Sequence, residues 1–239
     1  MAIKALVCGL HRSGTSAMAH LLAAGAGWTL LDDPEWAIEE SPAHFLEDPA
    51  TFDELAAVDI AKIPRMTEAL PQFLDTFEDA QVVVMLRDPR DTWCSIREKF
   101  ATGRKTRMHE YSRLGITERG PLGCRLAYDV YMERAEATVA AHPDRLLFVP
   151  YEHFYEDRIA TAAHVAQWLG APFDTGPATT IAEAQLGPLR NEPTDDHGIR
   201  GPGRWQRDLP PDEVEIFASA AATHDRLCRG ALERLAQLA

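Results

Sequence analysis

The hydrophobic positions fall into short runs separated by longer helix-forming stretches. Residues 82–86 (Val, Val, Val, Met, Leu) and 146–149 (Leu, Leu, Phe, Val) are apolar without interruption, and residues 3–8 are interrupted only by Lys4. Runs of this length without polar alternation suit strands buried on both faces of a parallel sheet. Residues 17–24, rich in Ala and Leu, form a good helix directly after the first strand. Further helices are expected over 126–141 and 159–169, and a long last one over 212–238, announced by Pro210, Pro211, Asp212 and Glu213. Pro89 stops the strand at 82–86, and a helix follows through Phe100. Strand and helix in alternation predict an α/β fold, a central parallel sheet flanked by helices in a single domain over 1–239. Residues 103–123, with Gly115, Gly120, Pro121 and Gly123, show no periodicity and read as a mobile connection or lid. Prolines and glycines are also frequent from 170 onward, where an irregular segment to residue 205 is expected to close over the site.

Composition narrows the class. The 239 residues are 46% apolar, enough for one substantial core. No apolar stretch reaches the roughly 18–20 residues of a membrane span, and residues 1–4 lead into the first strand without a signal pattern, so a cytoplasmic enzyme is expected. Cys8, Cys94, Cys124 and Cys228 are widely spaced and the nine histidines show no close cluster, so neither a disulfide framework nor a metal is expected. The net charge of -13 argues against nucleic acid or a polyanionic polysaccharide as partner. Between Arg97 and Arg125, however, eight Lys and Arg residues face only Glu98, Glu110 and Glu118. Such a segment either flanks an anionic ligand or is a solvated loop.

The chemistry concentrates at residues 9–16, Gly-Leu-His-Arg-Ser-Gly-Thr-Ser, between the first strand and helix. Loop amides and the helix N-terminus converge there on one point that favours an anion. A triphosphatase loop would place a lysine directly after its second glycine. Here Thr15 takes that position and the cation, Arg12, lies two residues before Gly14, a loop built for an anion without a metal.

Residues 12–16 resemble the 5′-phosphosulfate loop of sulfotransferases that use 3′-phosphoadenosine 5′-phosphosulfate (PAPS). The resemblance implies a second motif, a strand ending in arginine with a serine eight residues on, both holding the 3′-phosphate. Arg87 and Ser95 fit it. It implies a third, a basic glycine loop over the same phosphate, and residues 199–206 with Arg200, Gly201, Arg204 and Trp205 are similar, though shorter and of uncertain register. Tyr151 and Glu152 resemble the pair near the adenine, whereas Ala17 stands where an aromatic often follows the first loop. The implied cofactor contacts are thus His11, Arg12, Ser13, Gly14, Thr15, Ser16, Arg87, Ser95, Tyr151, Arg200 and Gly201.

For catalysis, Lys62 resembles the lysine that follows the acceptor region in cytosolic members, but Pro64 occupies the place of their histidine base. Residues 39–49 resemble the acidic, aromatic segment of another branch, which makes Glu47 the first candidate base, with Glu40 and His44 behind it and Arg12 on the sulfuryl oxygens. The resemblance implies sulfuryl transfer to a hydroxyl, phenol or amine of a small molecule. Two other readings stay open: a P-loop kinase, against which Thr15 stands, and a nucleotide-binding regulator that lost its chemistry, for which Pro64 speaks. Oligomeric state has no signature in the sequence.

Overall fold

In the computed structural model, which describes residues 3–39, 46–101, 109–191 and 201–238, five parallel strands pair in the order β2-β3-β1-β4-β5. They are β1 (Ala5–Cys8), β2 (Leu30–Asp32), β3 (Ile60–Lys62), β4 (Gln81–Leu86) and β5 (Leu146–Pro150). The helices that cover them are α1 (Thr15–Ala26), α2 (Leu70–Thr76), α3 (Pro89–Ala101), α4 (Gly120–Ala141), α5 (Arg158–Trp168), α6 (Thr175–Asn191) and α7 (Ala218–Leu238).

Because side chains alternate along a strand, the central strands feed two cores. Leu6, Cys8, Val82, Val84, Leu146 and Phe148 pack with Phe73 of α2 and Tyr128 and Tyr131 of α4. Ala5, Val7, Val83, Met85, Leu147 and Val149 pack with Met18, Leu21 and Leu22 of α1 and Val165 of α5. Burial of each such aliphatic side chain is worth about 1.5–3 kcal/mol, so the strands are held from both sides. On the β5 edge, the α7 residue Arg234 donates from Nη1 to the Leu146 carbonyl at 2.9 Å. Arg145, directly before β5, closes the amino end of the sheet by donating to the carbonyls of Leu74, Phe77 and Ala80.

The predicted strands and the α/β layering are observed; two strands go beyond them and three expectations are corrected. Strands β2 and β3, three residues each, are too short to stand out as hydrophobic runs. Residues 109–113 and 120–123, read as part of a lid, are helical. Pro121 and Gly123 start α4 rather than break it, since a first-turn proline loses no intrahelical bond, and a Cβ at position 123 would lie 2.4 Å from the Glu118 carbonyl oxygen. The stretch from 175 to 191 is a helix, not irregular chain: Asp174 Oδ1 accepts from the Gly176 amide at 2.9 Å and so caps its start. Phe173 fills the space above Gly25 of α1. The last helix is interrupted at the fully buried Phe217, leaving Pro211–Ile216 separate from α7.

Topology selects the site. The helix after β1 lies on one face of the sheet, while the chain after β4 returns to β5 through α4 on the other. A crevice therefore opens between the carboxyl ends of these adjacent strands, the place where open α/β sheets bind ligands.

Candidate active site

The loop leaving β1 reaches the crevice first. Gly9 (φ 134°) has no room for a side chain, since a Cβ would lie 2.6 Å from the Met85 carbonyl oxygen, and its amide donates to Thr67 Oγ1 at 2.9 Å. Gly14 (φ 94°) caps α1 in the left-handed region. Arg12 is also left-handed (φ 72°), a conformation that costs on the order of 1 kcal/mol or more in a non-glycine residue and is held by its surroundings. Ser13 and Thr15 are buried, and among the described residues Ser13 Oγ has no hydrogen-bond partner. Ser16 is exposed and His11 is half-buried.

The second motif meets the first. Arg12 Nε donates to Ser95 Oγ at 2.9 Å, and Arg87 Nη1 donates to the Arg12 carbonyl at 2.8 Å. Arg87 Nε and Nη2 are buried without a hydrogen-bond partner among the described residues. The two nearby acids are committed elsewhere. Asp88 is forked by Arg90, with Nε–Oδ1 at 2.9 Å and Nη2–Oδ2 at 2.6 Å. Asp91 accepts from the amides of Gly203 at 2.6 Å and Trp205 at 2.9 Å. Burial pushes the Asp91 carboxyl above its ordinary pKa, an effect the two amides partly offset. A buried guanidinium with two N–H-bearing nitrogens unused beside an amide loop is a receptor for a dianion.

Tyr151 and the carboxyl-terminal loop complete the wall. The Tyr151 ring lies under Arg87, with Cζ 4.3 Å from its centroid, and against Gly14, where a Cβ would approach Cδ2 to 2.5 Å. Arg90 lies over Trp205, with Cζ 3.7 Å from the ring centroid. Gly201 lies beside Tyr155, and Arg204 pairs with Glu98 and Asp208. Arg200 falls outside the described residues.

The family model of sulfotransferases matches residues 33–175, well over half of the chain and including Arg87, Ser95 and Tyr151. The chain belongs to the sulfotransferase family. Two solved structures share the fold: a sulfotransferase from Alicyclobacillus acidocaldarius, TM-score 0.59 at 15% identity over 98% of this chain and 96% of that one, and a mouse sulfotransferase complexed with PAP, TM-score 0.60 at 14% identity over 98% and 88%. No curated protein matches the sequence significantly.

In this sulfotransferase β3 and β2 lie on the other side of β1 from Arg87. Lys62 ends β3 beside Val7 of β1. It is buried, and its ammonium pairs with Asp32 at 3.1 Å and Asp33 at 3.3 Å. Burial would raise the Asp32 pKa, but a 2.7 Å hydrogen bond with His20 and the Lys62 charge outweigh it and hold Asp32 below the usual carboxylate range. Asp33 has a left-handed backbone (φ 52°), and its amide donates to the Lys62 carbonyl at 2.9 Å. Asp32 and Asp33, adjacent acids after the apolar pair Leu30 and Leu31, join the candidate acids of the sequence only through this contact with Lys62. Glu47 is exposed just ahead of the helix Pro49–Ala56; Glu40 and His44 fall outside the described residues. The basic stretch is partly absorbed into the fold: Arg97 pairs with Glu213 and donates to the Asp208 carbonyl, and Arg125 pairs with Asp129. Among the described residues, no helix is long and apolar enough to cross a membrane.

Proposed function

We propose that the protein transfers the sulfuryl group of PAPS to a hydroxyl, phenol or amine of a small molecule. The observation that carries this reading is Arg87: a buried guanidinium against an aromatic ring, with Nε and Nη2 unpaired among the described residues and both neighbouring acids engaged elsewhere. Bound PAPS would supply an activated sulfuryl group whose leaving group is a phosphate.

The residues divide the work. Amides of residues 12–16, Ser13 Oγ and the N-terminus of α1 would hold the 5′-phosphosulfate, with Arg12 balancing charge that grows on the departing phosphate. Arg87 and Ser95 would hold the 3′-phosphate, Tyr151 would bound the nucleotide, and Arg200 and Gly201 would close over it. A lysine after the second loop glycine is absent, since Thr15 stands there, which disfavours a magnesium triphosphate.

The acceptor must lie in line behind sulfur and give up a proton. Lys62 sits at the carboxyl edge of the sheet, next to the strand that feeds the loop, and orients the acceptor side. Glu47 is the base first suggested by sequence, with Glu40 and His44 behind it; the fold adds Asp33, held beside Lys62 with a strained backbone of the kind that clusters at active sites.

Calorimetric titration with 3′-phosphoadenosine 5′-phosphate (PAP), and with ATP or GTP plus magnesium, tests the donor. Metal-independent PAP binding that collapses in Arg87→Ala supports the reading; binding only of the magnesium triphosphates overturns it in favour of a kinase. A PAPS assay over a panel of phenols, alcohols and amines then compares Glu47→Gln with Asp33→Asn. The base is the one whose loss lowers kcat at unchanged PAP affinity, and PAP binding without transfer to any acceptor would make the protein a nucleotide-binding regulator.

A further inference from the structure

Behind the Arg87 strand, Glu152, next to Tyr151 in the chain, meets two side chains to which sulfuryl transfer gives no part. His224 and Cys228 stand one turn apart on the same face of α7, and Glu152 faces them from the helix Tyr151–Glu156. His224 is buried; Cys228 and Glu152 are partly buried. His224 Nε2 lies 3.4 Å from Cys228 Sγ and 3.5 Å from Glu152 Oε2, and Nδ1 lies 3.7 Å from the same sulfur. One ligand atom from each residue falls within 4.8 Å of the others.

We propose that Glu152, His224 and Cys228 form a binding site for a divalent ion of the zinc class, separate from the sulfuryl-transfer centre. Three observations support it. A tetrahedral ion with bonds of about 2.3 Å to sulfur and about 2.0–2.2 Å to nitrogen and oxygen holds its ligand atoms roughly 3.3–3.6 Å apart. The Sγ–Nε2 and Nε2–Oε2 separations already have that size. Second, Glu152 uses Oε1 to accept from the Asp88 amide at 3.0 Å, while its buried Oε2, the oxygen facing His224, has no hydrogen-bond partner among the described residues. The His224 imidazole meets that oxygen as an ion pair at 3.5 Å, and a cation bridging the two residues would take the place of the shared proton. Third, Tyr128 Oη lies 3.3 Å from His224 Nδ1. With Nδ1–H donating to this hydroxyl, the Nε2 lone pair is left for the ion, the arrangement that outer partners impose on ligating histidines.

A helix pair at i and i+4 with a third ligand from another element leaves the fourth position of a tetrahedral ion to water. Binding releases the Cys228 thiol proton and the imidazole proton that the Glu152 ion pair favours, and swings the sulfur away from Nδ1, 3.7 Å from it now, toward the Nε2 lone pair. Glu152 would then link the ion to Asp88, so the site backs the chain that presents Arg87.

Cobalt titration of tag-free full-length protein, stripped with chelator and exchanged into clean buffer, tests this. One equivalent of Co²⁺ should give the near-ultraviolet thiolate-to-cobalt band and visible bands of tetrahedral intensity, both bleached by one equivalent of Zn²⁺. Cys228→Ser should abolish the near-ultraviolet band while circular dichroism stays unchanged. Tyr128→Phe, which keeps all three ligands, should keep the band and weaken affinity about tenfold or more. Absence of a thiolate band in the wild type, or a band that survives in Cys228→Ser, overturns the proposal and leaves a hydrogen-bonded Cys-His-Glu chain. PAP binding to the same samples reads the sulfotransferase site independently.

Discussion

At Arg87 the proposed ligand role and the structural role separate by substitution. Nη1 holds the Arg12 carbonyl, while Nε and Nη2 have no partner among the described residues. Arg87→Lys keeps the charge but loses the fork; with bonds to charged groups worth about 1.5–3 kcal/mol each, PAP affinity should fall at least about tenfold by calorimetry. Arg87→Ala should fall further, with little change in unfolding temperature if the residue serves ligand more than fold. Asp59 is the opposite case, a carboxylate that serves only the fold. Its hydrogen bond to Lys4, then those from the Thr29 amide and hydroxyl, lower its pKa to about 2 against burial. A carboxylate with a depressed folded pKa stabilises above its unfolded value near 3.9, and that contribution is lost as pH falls through about 2. Asp59→Asn should therefore be less stable than wild type at pH 7, and the gap should shrink steadily between about pH 4 and 2 in denaturant titrations. A constant gap across that window would show that the carboxylate charge is not what stabilises.

At the scale of an element, the join of loop and α1 depends on Gly14. A side chain there meets two obstacles, the left-handed φ of 94° and the Tyr151 ring, 2.5 Å from where Cβ would stand. Gly14→Ala should cost about 1–3 kcal/mol of stability and abolish PAP binding. The double variant Gly14→Ala/Tyr151→Ala removes the collision but not the backbone strain. It should recover only part of the stability by thermal unfolding; full recovery would mean that φ at this position is not constrained. Helix starts explain part of the misreading. Pro121 and Pro177 looked like breakers because proline is usually read as a stop, yet both sit in the first turn of a helix, where the missing N–H costs nothing.

Across the whole molecule, distant segments meet at the carboxyl end of the sheet. The loop at 201–205 is tied to the second motif by the two amide bonds on Asp91 and by Trp205 under Arg90. Asp91→Asn retains one acceptor oxygen and loses the other. The loop should loosen, trypsin should cut faster after Arg204 and Arg207, and the PAP dissociation constant should rise several-fold with the sheet intact. Unchanged proteolysis with weakened PAP binding would instead place the Asp91 effect in the second motif itself.

Local sequence was sufficient for the features whose physics is local. A glycine loop between an apolar run and a helix former, and an arginine at the end of a β-branched run, announce anion sites because loop amides, helix ends and strand termini act over a few residues. The family followed from these motifs, and Arg12, Ser13, Gly14, Arg87, Ser95 and Tyr151 do converge. Strands β2 and β3 were not legible, because three-residue strands are stabilised by pairing with β1 and by the core rather than by their own pattern. The Lys62 pairs with Asp32 and Asp33, the engagement of Asp88 and Asp91 that leaves Arg87 Nε and Nη2 without a partner among the described residues, and the meeting of Glu152 with His224 and Cys228 join residues from 2 to 114 positions apart. The long-range pairings were decided by the order in which the strands stack, and only the folded sheet fixes that order.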